Sequence, residues 1–107
     1  MRNTVDITRH LAREGRSYVL SVSGLMHRDW IAPGLPHAAE IAAAAPEWMA
    51  DGGSCIAGPD GQWVVEPRVE CEFLACADLD LEAVYRERQN FDPAGHYSRP
   101  DVTRLVV

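Results

Sequence analysis

The sequence predicts an α/β fold class, with helices on one face of a mixed sheet. Gly58-Pro59-Asp60-Gly61 separates two strand candidates, because proline presets one turn corner and glycine accepts a positive φ. One helix candidate leads directly into the first strand candidate, and another follows the last one. At 107 residues the chain has room for one small domain, residues 1–107, that combines these layers.

The first two elements are an amphipathic helix and a strand. From Arg2 to about Arg13, apolar and charged residues fall on opposite arcs at about 100° per residue, as in a half-buried helix. Gly15 is a natural C-terminal stop. The segment from Ser17 to Val22 is rich in β-forming residues, so we expect a strand to follow the helix.

The middle of the chain predicts a long loop and a short helix. Proline and glycine recur from Gly24 to Pro36, and loops of this length inside a small domain are usually functional. Trp30 lies within this loop. His37–Ala45 is rich in alanine and predicts a short helix that ends near Pro46.

Three strands are predicted in the second half. Ser54–Ala57 and Gln62–Glu66 flank the turn and form a hairpin, which Pro67 ends because it has no N–H for a ladder. Glu72–Leu79 is almost wholly apolar, and an uninterrupted apolar run indicates a strand buried on both faces.

The last predicted element is a helix, and it leaves one sheet face without a cover. Asp80 is a good N-cap for this helix, whereas the chain from Phe91 onward has no period. The predicted helices cover only one face of the sheet. We therefore expect a second sheet, a partner chain or further sequence to cover the other face.

Composition and charge exclude several classes of protein. A net charge of −6 argues against a nucleic-acid partner, because phosphate binding needs a basic surface. No run approaches the roughly 20 apolar residues of a membrane span, and the N-terminus lacks the apolar core of a signal peptide. The three cysteines show no CxxC spacing, which favours reduced thiols and a cytoplasmic location.

The cysteines are candidates for chemistry, but their positions favour a structural role. Cys55 follows two glycines and a serine, yet a reactive thiolate needs a helix N-terminus or a cationic neighbour. Cys55 begins a hairpin strand, so we expect it to be structural, with a nucleophilic role as the alternative. Cys71 and Cys76 are expected to be small core residues beside or within the third strand.

The histidines and glutamates give no convincing site. The four histidines lack the spacing of metal ligands, so no metal is expected. Glu66, Glu70 and Glu72 are close enough in sequence for acid–base work, but a charged strand edge that blocks further pairing is the favoured interpretation.

Four stretches taken together resemble the nitrilase family of carbon–nitrogen hydrolases, specifically its C-terminal portion. They are HLAREGRSYVLSVS, GGSCIAGPDGQWVVEP, FLACADLDLEAV and DPAGHYSRPDVTRLVV, and their order and spacing match the family. The last stretch is the most specific and is more similar to true nitrilases than to the amidase branches. The resemblance covers nearly the whole chain except its alanine-rich middle.

The resemblance implies a four-layer α-β-β-α sandwich, of which this chain would be the C-terminal half. It also implies a cysteine nucleophile, a glutamate base and a lysine, with nitriles hydrolysed to acid and ammonia through a thioimidate. The family's triad lies upstream of every matching stretch, and this sequence has no lysine. No residue of this chain is therefore expected to be catalytic, and Met1 is expected to be an internal methionine of a longer enzyme.

Supporting roles also follow from the resemblance. Ser23 and Gly24, at the end of the first strand, and Trp30 in the loop are expected to line the substrate pocket. His96, Tyr97 and Arg99 in the tail are expected to make contacts between subunits. The expected partners are the missing N-terminal half or another subunit, in a homo-oligomer, and a small nitrile. No cofactor is implied.

Two other functions remain open. The chain could be a catalytically inactive assembly or binding module that uses the same half-fold. It could also be a small thiol enzyme that uses Cys55. Which nitrile the complete enzyme would hydrolyse, or whether its substrate is cyanide, does not follow from the sequence.

Overall fold

The structure, a computed structural model, describes residues 2–90 and 101–102. It contains both helices and strands, which confirms the predicted α/β class. In chain order the elements are α1 (Arg2–Gly15), β1 (Val19–Ser21), β2 (Leu25–His27), a 3-10 turn (Arg28–Trp30), α2 (Ala38–Ala44), β3 (Trp48–Asp51), β4 (Cys55–Ala57), β5 (Trp63–Val65) and α3 (Leu81–Gln89).

A three-stranded antiparallel sheet in the order β1-β4-β5 forms the centre of the fold. Val19 is opposite Ala57 between β1 and β4, and the predicted hairpin joins β4 to β5. The expected mixed sheet is wrong for the described strands, which all pair antiparallel. A helix does lie between two paired strands, since α2 separates β2 from β3, but these strands run in opposite directions, so α2 connects an antiparallel pair and is not a parallel crossover.

A two-stranded ribbon, β2 with β3, extends the chain beyond the central sheet. Leu25 is opposite Asp51, and His27 is opposite Trp48 after an irregularity in the register. The prediction of an unbroken loop from Gly24 to Pro36 is therefore wrong at its start. The strand was missed because three residues are too few to show a period, and only pairing with a distant segment stabilises them.

The predicted third strand, Glu72–Leu79, does not form: none of its residues is in a strand. Leu74 is 90% exposed instead of buried. An apolar run becomes a strand only where neighbouring strands and covering layers bury it, and no described element supplies them here.

Helix α1 packs across β1 and β4. The buried contact consists of small residues, with Thr8 and Ala12 from the helix and Cys55 and Ala57 from the sheet. Small side chains allow a close approach between helix and sheet, but they bury little apolar surface. This core alone therefore contributes modest stabilisation.

Helix α3 is attached to the rest of the fold mainly by polar contacts. The side chain of Asp80 accepts a hydrogen bond from the backbone N–H of Glu82, which confirms the predicted N-cap. The Glu87 carboxylate lies 2.6 Å from Arg13 Nη1 and 3.4 Å from Arg16 Nη1. Glu87 thereby joins α3 to the end of α1.

The sheet face opposite α1 is apolar and open. Val19 and Ser21 pair with the buried Ala57 and Cys55, so Leu20 between them lies on the other face, where it is 58% exposed. Val64 on β5 is 41% exposed. The central sheet thus has a helix on one face and no cover on the other among the described residues. No helix in residues 2–90 has the length and hydropathy needed to cross a membrane.

Candidate functional site

Three aromatic rings meet at the far end of the ribbon. We call His27, Trp30 and Trp48 the aromatic cluster. The ring centroids of His27 and Trp48 are 4.9 Å apart at 79°, and those of Trp30 and Trp48 are 5.8 Å apart at 89°. Such edge-to-face pairs are favourable because the positive edge of one ring meets the negative face of another.

Local structure brings these three side chains together. His27 ends β2 and is opposite Trp48, so both lie at the same level of the ribbon. The chain then makes the 3-10 turn that places Trp30 within 6.2 Å of His27, measured between ring centroids. Trp30 is still 51% exposed, so it presents an aromatic surface to whatever lies beside the ribbon.

Two carboxylates flank the imidazole of His27. Asp29 Oδ2 lies 3.5 Å from Nδ1, and Glu47 Oε1 lies 3.7 Å from Nε2. The His27 side chain is only 18% exposed, whereas both carboxylates are largely in solvent. The backbone N–H of Asp29 also donates a hydrogen bond to His27 Nδ1 over 3.2 Å.

A joint between the central sheet and the ribbon holds the other predicted pocket residues. The Ser54 hydroxyl accepts a hydrogen bond from Ser23 N–H over 3.0 Å, and the Gly52 N–H donates to the Gly24 carbonyl over 3.1 Å. Ser23 and Gly24 precede β2, whereas Trp30 follows it. The strand therefore separates the three predicted pocket residues into two places.

An acidic depression of about 440 Å³ lies beside β3. The residues that line it include the acidic Glu47, Asp51 and Glu70, together with Trp48. Glu70 has a positive φ of 58° there, and its N–H donates to the Asp51 carbonyl over 2.7 Å. This backbone contact fixes the position of Glu70 next to the ribbon.

Cys55 is placed as a structural residue. It is 3% exposed, and burial raises the pKa of its thiol, although hydrogen bonds with Thr8 and Ser21 act in the opposite direction. A raised pKa leaves little thiolate near neutral pH, which is the reverse of what a nucleophile needs. Its position against α1 agrees with the structural role that the sequence favoured.

The other two cysteines are not core residues, so that expectation is wrong. Cys71 and Cys76 are both free and exposed. They lie beside or within the segment expected to be a buried strand, and they became exposed when no strand formed there.

The remaining candidate residues form no further site. His10 faces Glu14 and His37 faces Glu40, in exposed pairs within single helical turns. No three histidine, cysteine or acidic residues in the described part of the chain are grouped to hold a metal. Glu66, Glu70 and Glu72 are all exposed. The predicted subunit-contact residues His96, Tyr97 and Arg99 lie outside the described residues.

Comparison with known proteins shows that the chain is similar to several nitrilases. The chain is 42% identical over 100 residues to a nitrilase of Bradyrhizobium diazoefficiens, covering 92% of this chain and 30% of that protein. It is 36% identical over 99 residues to an aliphatic nitrilase of Sinorhizobium fredii, covering 92% of the chain and 32% of the relative. It is also 39% identical over 105 residues to an aliphatic nitrilase of Rhodococcus rhodochrous, covering 94% of this chain and 26% of that protein.

These matches extend along nearly all of this chain but only part of each relative. The chain spans about 30% of the length of the curated relatives it matches. No protein-family model and no solved structure matches it.

Proposed function

The chain belongs to the nitrilase family, and from this premise we propose that it is the C-terminal segment of an enzyme that hydrolyses organic nitriles. The observation that carries this proposal is the identity of 36–42% with proteins named nitrilase, over 92% of this chain. The products would be a carboxylic acid and ammonia.

The chemistry of such an enzyme would be carried out by residues outside this chain. A thiolate attacks the nitrile carbon and forms a thioimidate, which water then hydrolyses. The chain contains no lysine, and the thiol of Cys55 is buried with a raised pKa. We therefore assign the cysteine, glutamate and lysine of the family to the part of the relatives that this chain does not span.

This segment would contribute one sheet of the family's four-layer α-β-β-α sandwich. The support is the open face of the central sheet, where Leu20 is exposed on the side away from α1. Burial of such a face stabilises by about 25 cal/mol per Å². A second sheet would bury it, with α1 as the outer layer on this side.

The segment would also supply part of the pocket wall. Ser23 and Gly24 lie at the joint where β1 passes into the ribbon, and the ribbon carries Trp30 with half of its side chain exposed. A half-exposed indole suits an apolar or aromatic nitrile, because it can shield the substrate from water. Homo-oligomer contacts through the tail residues His96, Tyr97 and Arg99 are part of this proposal.

A chimera tests the proposal directly. The matching segment of the Rhodococcus rhodochrous aliphatic nitrilase is replaced by this chain, and ammonia release is measured with aliphatic and aromatic nitriles. We expect a folded chimera that hydrolyses nitriles. A second chimera with Trp30→Ala is expected to keep the fold and to raise KM for aromatic nitriles.

The controls separate this proposal from its alternatives. A folded chimera without turnover would contradict the proposal and would favour an inactive assembly module. The 107-residue chain alone is assayed in parallel and is expected to release no ammonia. Turnover by that chain which disappears in Cys55→Ala would instead support a small thiol enzyme.

A further inference from the structure

Two contacts of His27 favour opposite protonation states of the same ring nitrogen, Nδ1. The backbone N–H of Asp29 donates to Nδ1 over 3.2 Å, so His27 is the N-cap of the 3-10 turn that ends at Trp30. The carboxylate of Asp29 lies 3.5 Å from the same nitrogen. The first contact requires a lone pair on Nδ1, whereas the second gains from a proton there.

The neutral state of His27 fits the structure as described. With Nδ1 accepting from the Asp29 N–H, the single ring proton of the neutral imidazole is on Nε2, which faces Glu47 Oε1 at 3.7 Å. In this state the cap satisfies one of the turn's free N–H groups. The turn then holds Trp30 against Trp48 at 5.8 Å between ring centroids.

The protonated state would have different contacts. A proton on Nδ1 removes the acceptor of the Asp29 N–H, so the cap is lost, while the new N–H can donate to Asp29 Oδ2. Glu47 Oε1 faces the other nitrogen at 3.7 Å, and this carboxylate can pair with the positively charged ring. Arg28 Nε lies 4.0 Å from Asp29 Oδ1. Its positive charge therefore weakens the attraction between Asp29 and a protonated His27.

We propose that His27 is a pH-sensitive switch of the ribbon. Neutral, it caps the 3-10 turn and fixes Trp30 in the aromatic cluster; protonated, it exchanges the cap for an ion pair with Asp29 and releases Trp30. Histidine is the side chain whose charge ordinarily changes between about pH 5 and 8. The inference concerns the ribbon itself and does not depend on nitrile hydrolysis.

The switch is tested with the indole N–H signals of the 107-residue chain in ¹⁵N–¹H NMR spectra between pH 5 and 8. The chain has three tryptophans. We expect the signals of Trp30 and Trp48 to move together in one transition as the pH falls. Trp63 serves as the internal reference, because it lies on β5 with Arg9 at 5.6 Å from its ring.

His27→Asn is the decisive variant, because the amide oxygen can accept the cap hydrogen bond but cannot be protonated in this range. Both signals are expected to stay at their high-pH positions throughout. His10→Asn, which removes an exposed histidine paired with Glu14 on α1, is the matched control and is expected to keep the transition. Persistence of the transition in His27→Asn, or its absence in the unaltered chain, would overturn the proposal.

Asp29→Asn provides a second test that keeps His27 and the backbone cap. It removes only the charge that stabilises the protonated state. The Trp30 and Trp48 signals are expected to move less at low pH than in the unaltered chain, because the protonated ring no longer gains an ion pair in exchange for the cap. A movement as large as in the unaltered chain would show that Asp29 is not the partner of the protonated ring, and the exchange of contacts would be refuted.

Discussion

Tyr18 and Asp80 are joined by two hydrogen bonds through a single hydroxyl group. The phenol donates to the Asp80 carbonyl over 3.1 Å and accepts from the Asp80 N–H over 3.2 Å. Tyr18 immediately precedes β1, and Asp80 is the N-cap of α3. The pair therefore positions the start of the last helix against the central sheet, across 62 residues of chain.

Tyr18→Phe is expected to weaken the attachment of α3. The substitution keeps the ring and removes both hydrogen bonds, each of which contributes about 0.5–1.5 kcal/mol. Because the pair is partly in water, we expect the free energy of unfolding to fall by about 1 kcal/mol in urea denaturation. Tyr85→Phe on α3, where the ring is exposed, is the control and should change little.

Protection of the α3 amides provides the mechanistic check on Tyr18→Phe. We expect faster hydrogen exchange in Leu81–Gln89 and no change in α1, because only the last helix depends on this contact. A variant as stable as the original, with unchanged exchange in α3, would show that Glu87 and its arginine partners position the helix by themselves.

The joint between sheet and ribbon is expected to require glycine at position 52. Gly52 has a φ of 84°, and a Cβ there would lie 3.3 Å from Leu25 Cδ1. We expect Gly52→Ala to lower the free energy of unfolding by about 1–2 kcal/mol, because side chains disfavour a positive φ. Gly34→Ala is the matched control, since nothing lies within 4 Å of its Cβ position. Equal effects of the two substitutions would contradict the expectation.

The three thiols are expected to differ in reactivity. Burial raises the pKa of Cys55 and shields it, whereas Cys71 and Cys76 are exposed. Treatment with iodoacetamide at neutral pH, followed by mass spectrometry, should give two rapid additions and a third only after unfolding. Rapid modification of Cys55 in the folded chain would contradict its placement under α1 and would strengthen the thiol-enzyme alternative.

The open sheet face is expected to cause self-association of the isolated chain. Leu20 and Val64, both in the central sheet, expose apolar surface, and large apolar patches are rare on soluble monomers. Sedimentation at tens of micromolar should show species larger than the monomer. Leu20→Thr combined with Val64→Thr should shift the distribution toward monomer, because threonine keeps the preference for a strand and reduces apolar area.

Two further samples complete the sedimentation experiment. Leu74→Thr is the control, because Leu74 is 90% exposed but lies outside the sheet. Truncation after Asp92 tests whether the tail, with His96, Tyr97 and Arg99, contributes to assembly. A strictly monomeric, well-folded chain would mean that the open face does not drive association.

Local patterns predicted the elements whose residues interact with near neighbours. α1, the hairpin of β4 with β5, the short helix α2 and the N-cap of α3 all formed close to the predicted positions. In each of these the sequence itself carries the cause: an amphipathic period, a Pro-Asp-Gly turn, a run of alanines or an aspartate before a helix.

The differences between the predicted and the observed strands come from pairing between segments that are distant in the chain. β2 and β3 exist because residues 25–27 and 48–51 meet across an intervening turn and helix, and the aromatic cluster exists because of that meeting. No local sequence pattern predicts that His27 and Trp48 come into contact. The expected strand at Glu72–Leu79 had the right composition but no described neighbour to pair with.

By itself the sequence determined the α/β class, the family relationship and the identity of the residues that form helices and the hairpin. Only the tertiary structure decided which strands pair, which face of the sheet stays open and how His27 meets two carboxylates and two indoles. The physical reason is the distance along the chain between the residues that interact. Turns, caps and helical periods are set within a few residues, whereas pairing and burial depend on segments that are distant in the chain.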